Sequence, residues 1–241
     1  YGTMIVASVG LTGAIVANLV YQIFEDWRLC YYAGGVLGLL LLFLRVSVRE
    51  SLMYKQMEST VEERGKFLSL FTDRKRFTRY LQCILIGIPL WFLVGVLITF
   101  SPEFAKALGV DGAETIKAGS AIAWCYGGLV FGDIMSGMLS QYLQSRKKVM
   151  AIFLALNLLM VFVYLNAHGI TSGMFYLLCM AMGFSVGYWV IFVTIAAEQF
   201  GTNIRATVTT TVPNFVRGSL PAIILMYQYF KIGRASCRER V

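Results

Sequence analysis

Two ionisable residues stand inside long apolar stretches of the chain. Asp133 is the only charge between residues 118 and 141, and Arg217 is the only charge between residues 206 and 230. A charge at the centre of a bilayer costs from about 2.5 to over 10 kcal/mol, so it faces protein or water and commonly has a function. Guanidinium groups bind carboxylates through two hydrogen bonds. We predict that Arg217 binds an anionic group of a solute and that Asp133 couples to a proton or cation. The alternative is that both only hold neighbouring polar groups together.

Further candidates lie near positions where a helix should be interrupted. Pro89, Pro213 and Pro221 each remove a backbone hydrogen bond, and the carbonyls that this frees can line a cavity. Polar and aromatic side chains in these and adjacent stretches could contact a solute, although packing against lipid is the alternative for the aromatic ones. The residues predicted to do so are Gln82, Trp91, Asn157 and Trp189.

Composition places the chain in a membrane. Of 241 residues, 58% are hydrophobic and 14% are charged, with a mean hydropathy of +0.69. Soluble globular domains have about 45–50% apolar and roughly 25% charged residues, which excludes a soluble enzyme, a disordered linker and a disulfide scaffold. The net charge of +8 is therefore attributed to orientation in a membrane and not to a nucleic-acid partner.

Seven segments are long and apolar enough to cross a bilayer, which needs about 20 residues in a helix. Continuous apolar runs, in place of the alternation of barrel strands, predict an all-α, polytopic membrane helix bundle. The predicted spans are 2–24, 27–44, 80–102, 118–141, two within 149–197 separated by the turn residues 166–173, and 206–230.

The loops alternate in charge. Segment 45–79 has nine basic and five acidic residues and segment 146–148 has three basic ones, whereas 25–28 and 103–117 each carry a net charge of −1. Lys and Arg favour the cytoplasmic side, so the odd-numbered spans run outward. We predict a multi-pass protein of the cell (inner) membrane with a cytoplasmic helical linker at 46–79.

Nothing in the sequence predicts a metal or cofactor site. The five cysteines form no CxxC pair and are interpreted as small apolar residues, and the one histidine, His168, falls in a predicted turn. Clustered nucleophiles or metal ligands are lacking, so we predict that the chain is not an enzyme.

Several motifs resemble the major facilitator superfamily of secondary transporters. Residues 137–148 (GMLSQYLQSRKK) resemble the family's G-x-L-S-D-R-x-G-R-R/K loop, although Gln141, Tyr142 and Gln144 stand where the family has Asp, Arg and Gly. The resemblance implies that Gly137 and Arg146 belong to a gate at the cytoplasmic side.

Other segments carry the same resemblance. Residues 27–28 (WR) and 49–51 (RES) look like elements at the start and end of the family's sixth helix, the latter in its sugar and organic-ion branches. Residues 198–207 (EQFGTNIRAT) resemble its E-x-(F/Y)-P-T-x-x-R element, which implies that Glu198 and Arg205 form a pair in the inner gate; the alternative is an ordinary surface pair. Residues 217–221 (RGSLP) look like the R-x-G…P pattern of its eleventh helix.

If the resemblance holds, the spans are the family's fifth to eleventh helices of twelve. Residues 1–45 would end the first six-helix half, 46–79 would link the halves, and 80–231 would supply five helices of the second half. Residues 232–241 differ abruptly in composition and are interpreted as a non-native tail, and the chain as a piece of a longer protein.

The resemblance implies a secondary transporter that moves a small solute by alternating access, coupled to a proton or Na⁺. The third span lacks the Gln-Gln…Gly-x-Asn pattern of sugar porters, and with Arg217 this favours an organic anion or carboxylate. A sugar or neutral metabolite porter and a non-transporting sensor of the same fold stay open. A channel would show a filter or a ring of like charges, and neither is evident.

Overall fold

The structure is a computed structural model that describes residues 2–46 and 67–238. Most of the predicted linker, with the motif at 49–51, lies outside the described residues. In chain order the helices are α1 (Gly2–Phe24), α2 (Trp27–Val46), α3 (Ser69–Thr72), α4 (Arg74–Phe92), a π-helix (Leu93–Ile98), α5 (Ser101–Ala107), a 3₁₀ turn (Ala113–Thr115), α6 (Ala118–Tyr142), α7 (Arg146–Leu165), α8 (Ser172–Ser185), α9 (Trp189–Glu198), α10 (Thr202–Gly218) and α11 (Leu220–Arg238). No strand occurs within this described part of the chain.

Six helical stretches of the described chain are long and apolar enough to cross a membrane. They correspond to the first six predicted spans: Ile5–Phe24, Trp27–Val46, Arg74–Ile98, Ala118–Tyr142, Arg146–Leu165 and Ser172–Glu198. The seventh predicted span, 206–230, is not among them. Its first part, α10, is rich in threonine and asparagine, and Ser219 separates it from α11.

The helix interruptions differ from those predicted at the prolines. Pro89 lies inside α4, and the change to π-helix follows it after Phe92, where Thr99 N donates to Val94 O at 3.2 Å. Helix α10 continues through Pro213, whereas Pro221 is the second residue of α11, a position that needs no intrahelical N–H. An unpredicted break at 186–188 divides the sixth span into α8 and α9.

Helices α6 and α8 share the most extensive contact of any helix pair in the described chain. A Cβ on Gly128 would collide with the carbonyl oxygen of Met180, and one on Gly183 would collide with that of Cys125. Small residues four apart let the two backbones touch, as in membrane helix pairs generally. Helix α1 packs along the same α6, while α2 has no buried residue.

The two ends of the bundle are joined by different contacts. At the basic end, where α4, α7 and α10 begin and α6 and α9 finish, Arg146 forms an ion pair with Glu198. At the loop end, Asp111 N donates to Ile170 O at 2.9 Å, which joins segment 103–117 to the turn near 170. Loops that are two apart along the chain therefore lie at the same end of the bundle, as expected for spans that run in alternating directions.

The last residues of the predicted linker are part of the bundle. Asp73 caps α4 by accepting from Lys75 N at 3.0 Å, so the helix begins at Arg74 and not at 80. Just before it, Leu70 of α3 is fully buried, and Phe67 stacks on Phe215 of α10. The segment 67–79 is thus packed against the basic end.

Candidate functional site

Arg217 is held between two tryptophan rings. Its Cζ lies 5.2 Å from the ring centroid of Trp91 and 5.3 Å from that of Trp189. The two rings stand edge to face, with centroids 6.1 Å apart. These residues, referred to below as the Arg217 cluster, come from α10, α4 and α9 respectively. A cation over an indole face is stabilised by about 0.5–2 kcal/mol, depending on its exposure.

Gly87 explains why three helices converge at this point. A Cβ there would lie 2.8 Å from Val216 Cγ2 and 2.9 Å from Phe192 Cζ, so the lack of a side chain lets α9 and α10 approach α4. Trp91 follows Gly87 by one turn, and Trp189 precedes Phe192 by one turn on the oppositely directed α9. The Arg217 cluster therefore lies one helical turn farther from the basic end than the close contact of α4 with α9 and α10 at Gly87.

The Arg217 cluster presents hydrogen-bond donors. Arg217 is exposed in the described chain, and its guanidinium only donates. The indole Nε1 of Trp91 is buried and has no hydrogen-bond partner in residues 2–46 and 67–238. An indole N–H is also only a donor. The arrangement therefore suits a ligand that carries acceptor oxygens.

Asp133, a residue of α6, lies beside the first turn of α9. The residue is fully buried on α6, and its Oδ1 accepts from Val190 N at 3.4 Å. Its other oxygen, Oδ2, has no hydrogen-bond partner among the described residues. The break at 186–188 frees the N–H groups of the first turn of α9, and a carboxylate is stabilised at such a helix N-terminus.

Asp133 and Trp189 are at similar depth, and α9 connects the two charges. Asp133 lies nine residues from the end of α6 at Tyr142, and Trp189 lies nine residues from Glu198, which is about 14 Å from the basic end in each case. Trp189 belongs to the Arg217 cluster, and the adjacent Val190 bonds Asp133. No ion pair joins Asp133 and Arg217 in the described chain.

Two predicted solute contacts lie elsewhere. Gln82 precedes Trp91 by nine residues, which at 3.6 residues per turn places it on the opposite face of α4. It lines a separate cavity near the basic end. Asn157 is buried on α7, its Oδ1 has no partner among the described residues, and no hydrogen bond or ring contact links it to the Arg217 cluster.

The predicted gate residues are only partly brought together. Glu198 pairs with Arg146, because α9 ends beside the start of α7. The expected Glu198–Arg205 pair is not formed, and Arg205 is exposed on α10. Gly137 is half-buried on α6. An exposed ion pair of this kind stabilises by at most about 1 kcal/mol, a size that suits a contact that opens and closes.

Gln144 shows what the departure from the family loop costs. Its φ is +46°, a left-handed conformation at the end of α6 that glycine adopts without penalty. The family motif has glycine at this position. Gln144 therefore adopts a conformation that suits glycine better than a residue with a side chain.

The main feature that sequence reasoning missed is the break before α9. The sequence signal for it is the pair of glycines, Gly183 and Gly187, that flank Ser185. The Cα of Gly187 lies against Gly132, next to Asp133, so the same glycine serves both packing and the break.

Comparison with known proteins identifies the family of the chain. A family model described as Major Facilitator Superfamily matches residues 1–224. No curated protein and no solved structure matches the chain. The family is one of membrane transporters, and the match covers nearly the whole sequence together with its six candidate spans. This chain therefore belongs to the Major Facilitator Superfamily.

Proposed function

We propose that the protein is a secondary active transporter that moves a small organic anion, such as a carboxylate, by alternating access. Its spans correspond to the fifth to eleventh helices of the family, in the sugar and organic-ion branch. The basic end and the linker face the cytoplasm of a cell with an inner membrane, because both are rich in Lys and Arg. The observation that carries the proposal is the donor-only Arg217 cluster beside the Asp133–α9 contact.

Solute binding is assigned to the Arg217 cluster. A carboxylate accepts two parallel hydrogen bonds from the guanidinium, which are charge-assisted and stronger than neutral ones. The two indole rings flank the cation, so an apolar portion of the solute can lie against them. The unpartnered Nε1 of Trp91 supplies a further donor.

Coupling is assigned to Asp133. An ionised carboxylate accepts from Val190 N and complements the positive end of α9, whereas a protonated one holds that end more weakly. Half-helix N-termini near the membrane midplane are where transporters commonly bind ions and solutes. A change in the charge of Asp133 thus acts on the start of α9, whose first residue is Trp189.

Gating is assigned to the other end of α9. The ten-residue helix begins at the Asp133 contact and ends at Glu198, which pairs with Arg146. A shift of α9 at its start therefore displaces the Glu198 carboxylate at its end. Arg205 and Gly137 remain gate predictions from the resemblance.

Counterflow in vesicles that contain the full-length gene product tests the function. Vesicles preloaded with unlabelled solute should take up labelled carboxylates faster than labelled sugars. Preference for a sugar or another neutral metabolite would support the alternative solute class. A lack of exchange with every solute class, by protein shown to be folded, would support a non-transporting sensor.

Topology is tested separately by cysteine labelling from opposite sides of a vesicle. A cysteine in the turn 146–148 should react from the cytoplasmic side and one in 103–117 from the other side. Reaction of both from one side would overturn the membrane arrangement.

A further inference from the structure

The cavity that Gln82 lines has a volume of about 430 Å³ and lies at the basic end between α4, α7 and α9. It is on the face of α4 that carries Gln82, opposite the face that carries Trp91. It is therefore distinct from the Arg217 cluster, and neither the solute site nor the gate uses it.

The wall of this cavity changes from charged to apolar with depth. On α4 the lining residues include Arg79, Gln82 and Ile86, and on α7 they include Lys147 and Leu154. Spacings of three, four and seven residues place each set on one face of its helix. Both helices begin at the basic end, so Ile86 and Leu154 each lie seven residues, or about 10 Å, deeper than the cation on the same helix.

The two cations at the mouth lack partners. Arg79 and Lys147 are exposed, and no hydrogen bond or ion pair with another described residue engages either side chain. Two acids that the structure describes at this end have other contacts: Asp73 caps α4 and Glu198 pairs with Arg146. A positively charged mouth therefore remains uncompensated within the described part of the chain.

Amide groups stand beside these cations. Gln82 of α4 and Gln199, which follows α9, both line the cavity, and each offers an N–H₂ donor. Two cations and two amides can together satisfy several acceptor oxygens on one group. A phosphate diester has a single negative charge and several such oxygens.

We propose that this cavity binds an anionic phospholipid, with the phosphate at Arg79 and Lys147 and the start of an acyl chain along Ile86 and Leu154. The apolar depth favours an amphiphile over a soluble anion, which would leave that surface uncovered. The inference rests on the proposed orientation, because anionic lipids and the negative potential of the cytoplasmic leaflet attract basic pockets between spans.

Binding of spin-labelled phosphatidylglycerol to the full-length protein in phosphatidylcholine nanodiscs tests the site. Each Lys or Arg near such a membrane surface strengthens binding by about five-fold, so Arg79→Gln and Lys147→Gln should each weaken it by about that factor. The matched control is Lys148→Gln, which removes the same charge from the adjacent residue, outside the cavity lining, and should leave binding unchanged.

Two results would overturn the inference. One is equal binding by the Lys147→Gln and Lys148→Gln variants, both shown to be folded by their helix content. The other is displacement of the labelled lipid by excess inorganic phosphate, which would indicate a site for soluble anions. Counterflow measured on the same variants separates this inference from the proposed function, since unchanged lipid binding with intact exchange would contradict the lipid site alone.

Discussion

Asp133 and Arg217 are the lone charges of two predicted spans, yet the structure surrounds them differently. Asp133 is fully buried, and a backbone N–H at the start of α9 donates to one of its oxygens. Arg217 is exposed, and its neighbours are two aromatic faces that leave its N–H groups available. One charge is thus bonded to a helix end, whereas the other has aromatic rings and no hydrogen-bond acceptor among its described neighbours.

This contrast explains how two lone charges in apolar stretches of the sequence can differ in role, one in coupling and one in solute binding. A carboxylate held by a helix end affects the position of that helix when its charge changes. A guanidinium that contacts only π-faces keeps its hydrogen-bonding capacity for a solute. Experiments that alter one residue at a time can therefore separate binding from coupling.

Replacing Arg217 should have the largest effect. Arg217→Ala removes the charge-assisted hydrogen bonds to the solute, and we expect a loss of carboxylate affinity of about 100-fold in counterflow. Arg217→Lys retains the charge without the bidentate geometry and should lose less. Unchanged carboxylate exchange by the alanine variant would contradict the assignment.

Replacing Asp133 should separate coupling from exchange. Asp133→Asn keeps an oxygen that can accept from Val190 N but cannot become ionised. We expect proton-driven accumulation to be lost while counterflow, which needs no gradient, continues. The measurement is uptake with and without an imposed pH gradient, and full gradient-driven accumulation by the variant would exclude a coupling role for this carboxylate.

Removing one ring of the Arg217 cluster should have a moderate effect. Trp189→Leu deletes one cation–π contact, so solute affinity should fall by about five-fold. The control is Trp27→Leu, because Trp27 makes a comparable 5.2 Å contact with Arg28 outside the cluster. Equal effects of the two substitutions on solute affinity, measured as the solute concentration that gives half-maximal counterflow, would show that the rings act only in packing.

Breaking the ion pair at the far end of α9 should have the smallest effect. Glu198→Gln loses an interaction of at most about 1 kcal/mol, which can shift the balance between inward- and outward-open states by only a few-fold. Accessibility of a cysteine at position 205 to a cytoplasmic reagent reports that balance. The control is Glu114→Gln at the loop end, which should leave the accessibility of that cysteine unchanged. An equal change in accessibility in both variants would contradict a gating role for Glu198.

Much of the arrangement along the chain was predictable. The first six spans, the alternation of their ends and the position of Asp133 within one of them follow from hydropathy and loop composition, since these depend only on which residues neighbour each other in sequence. The family followed from motifs at 137–148 and 198–207, and the family match over residues 1–224 confirms it.

Contacts between helices were less predictable. Gln82 and Trp91 looked equivalent because both lie near Pro89, but their spacing of nine residues puts them on opposite faces of α4. Glu198 was expected to pair with the nearby Arg205, and instead pairs with Arg146, fifty-two positions earlier. Neither outcome can be determined from one segment, because each depends on how neighbouring helices are rotated and where their ends meet.

The sequence by itself determined that hydrocarbon surrounds these helices and that two charges must be accommodated among them, because the cost of burying a charge is a property of the residue and its depth. Tertiary structure decided how each was accommodated. The backbone contact of Gly132 with Gly187 and the break beside it bring a helix end to Asp133, and the space at Gly87 brings two tryptophans to Arg217. Both depend on atoms that are distant in sequence, which is why only the folded chain shows them.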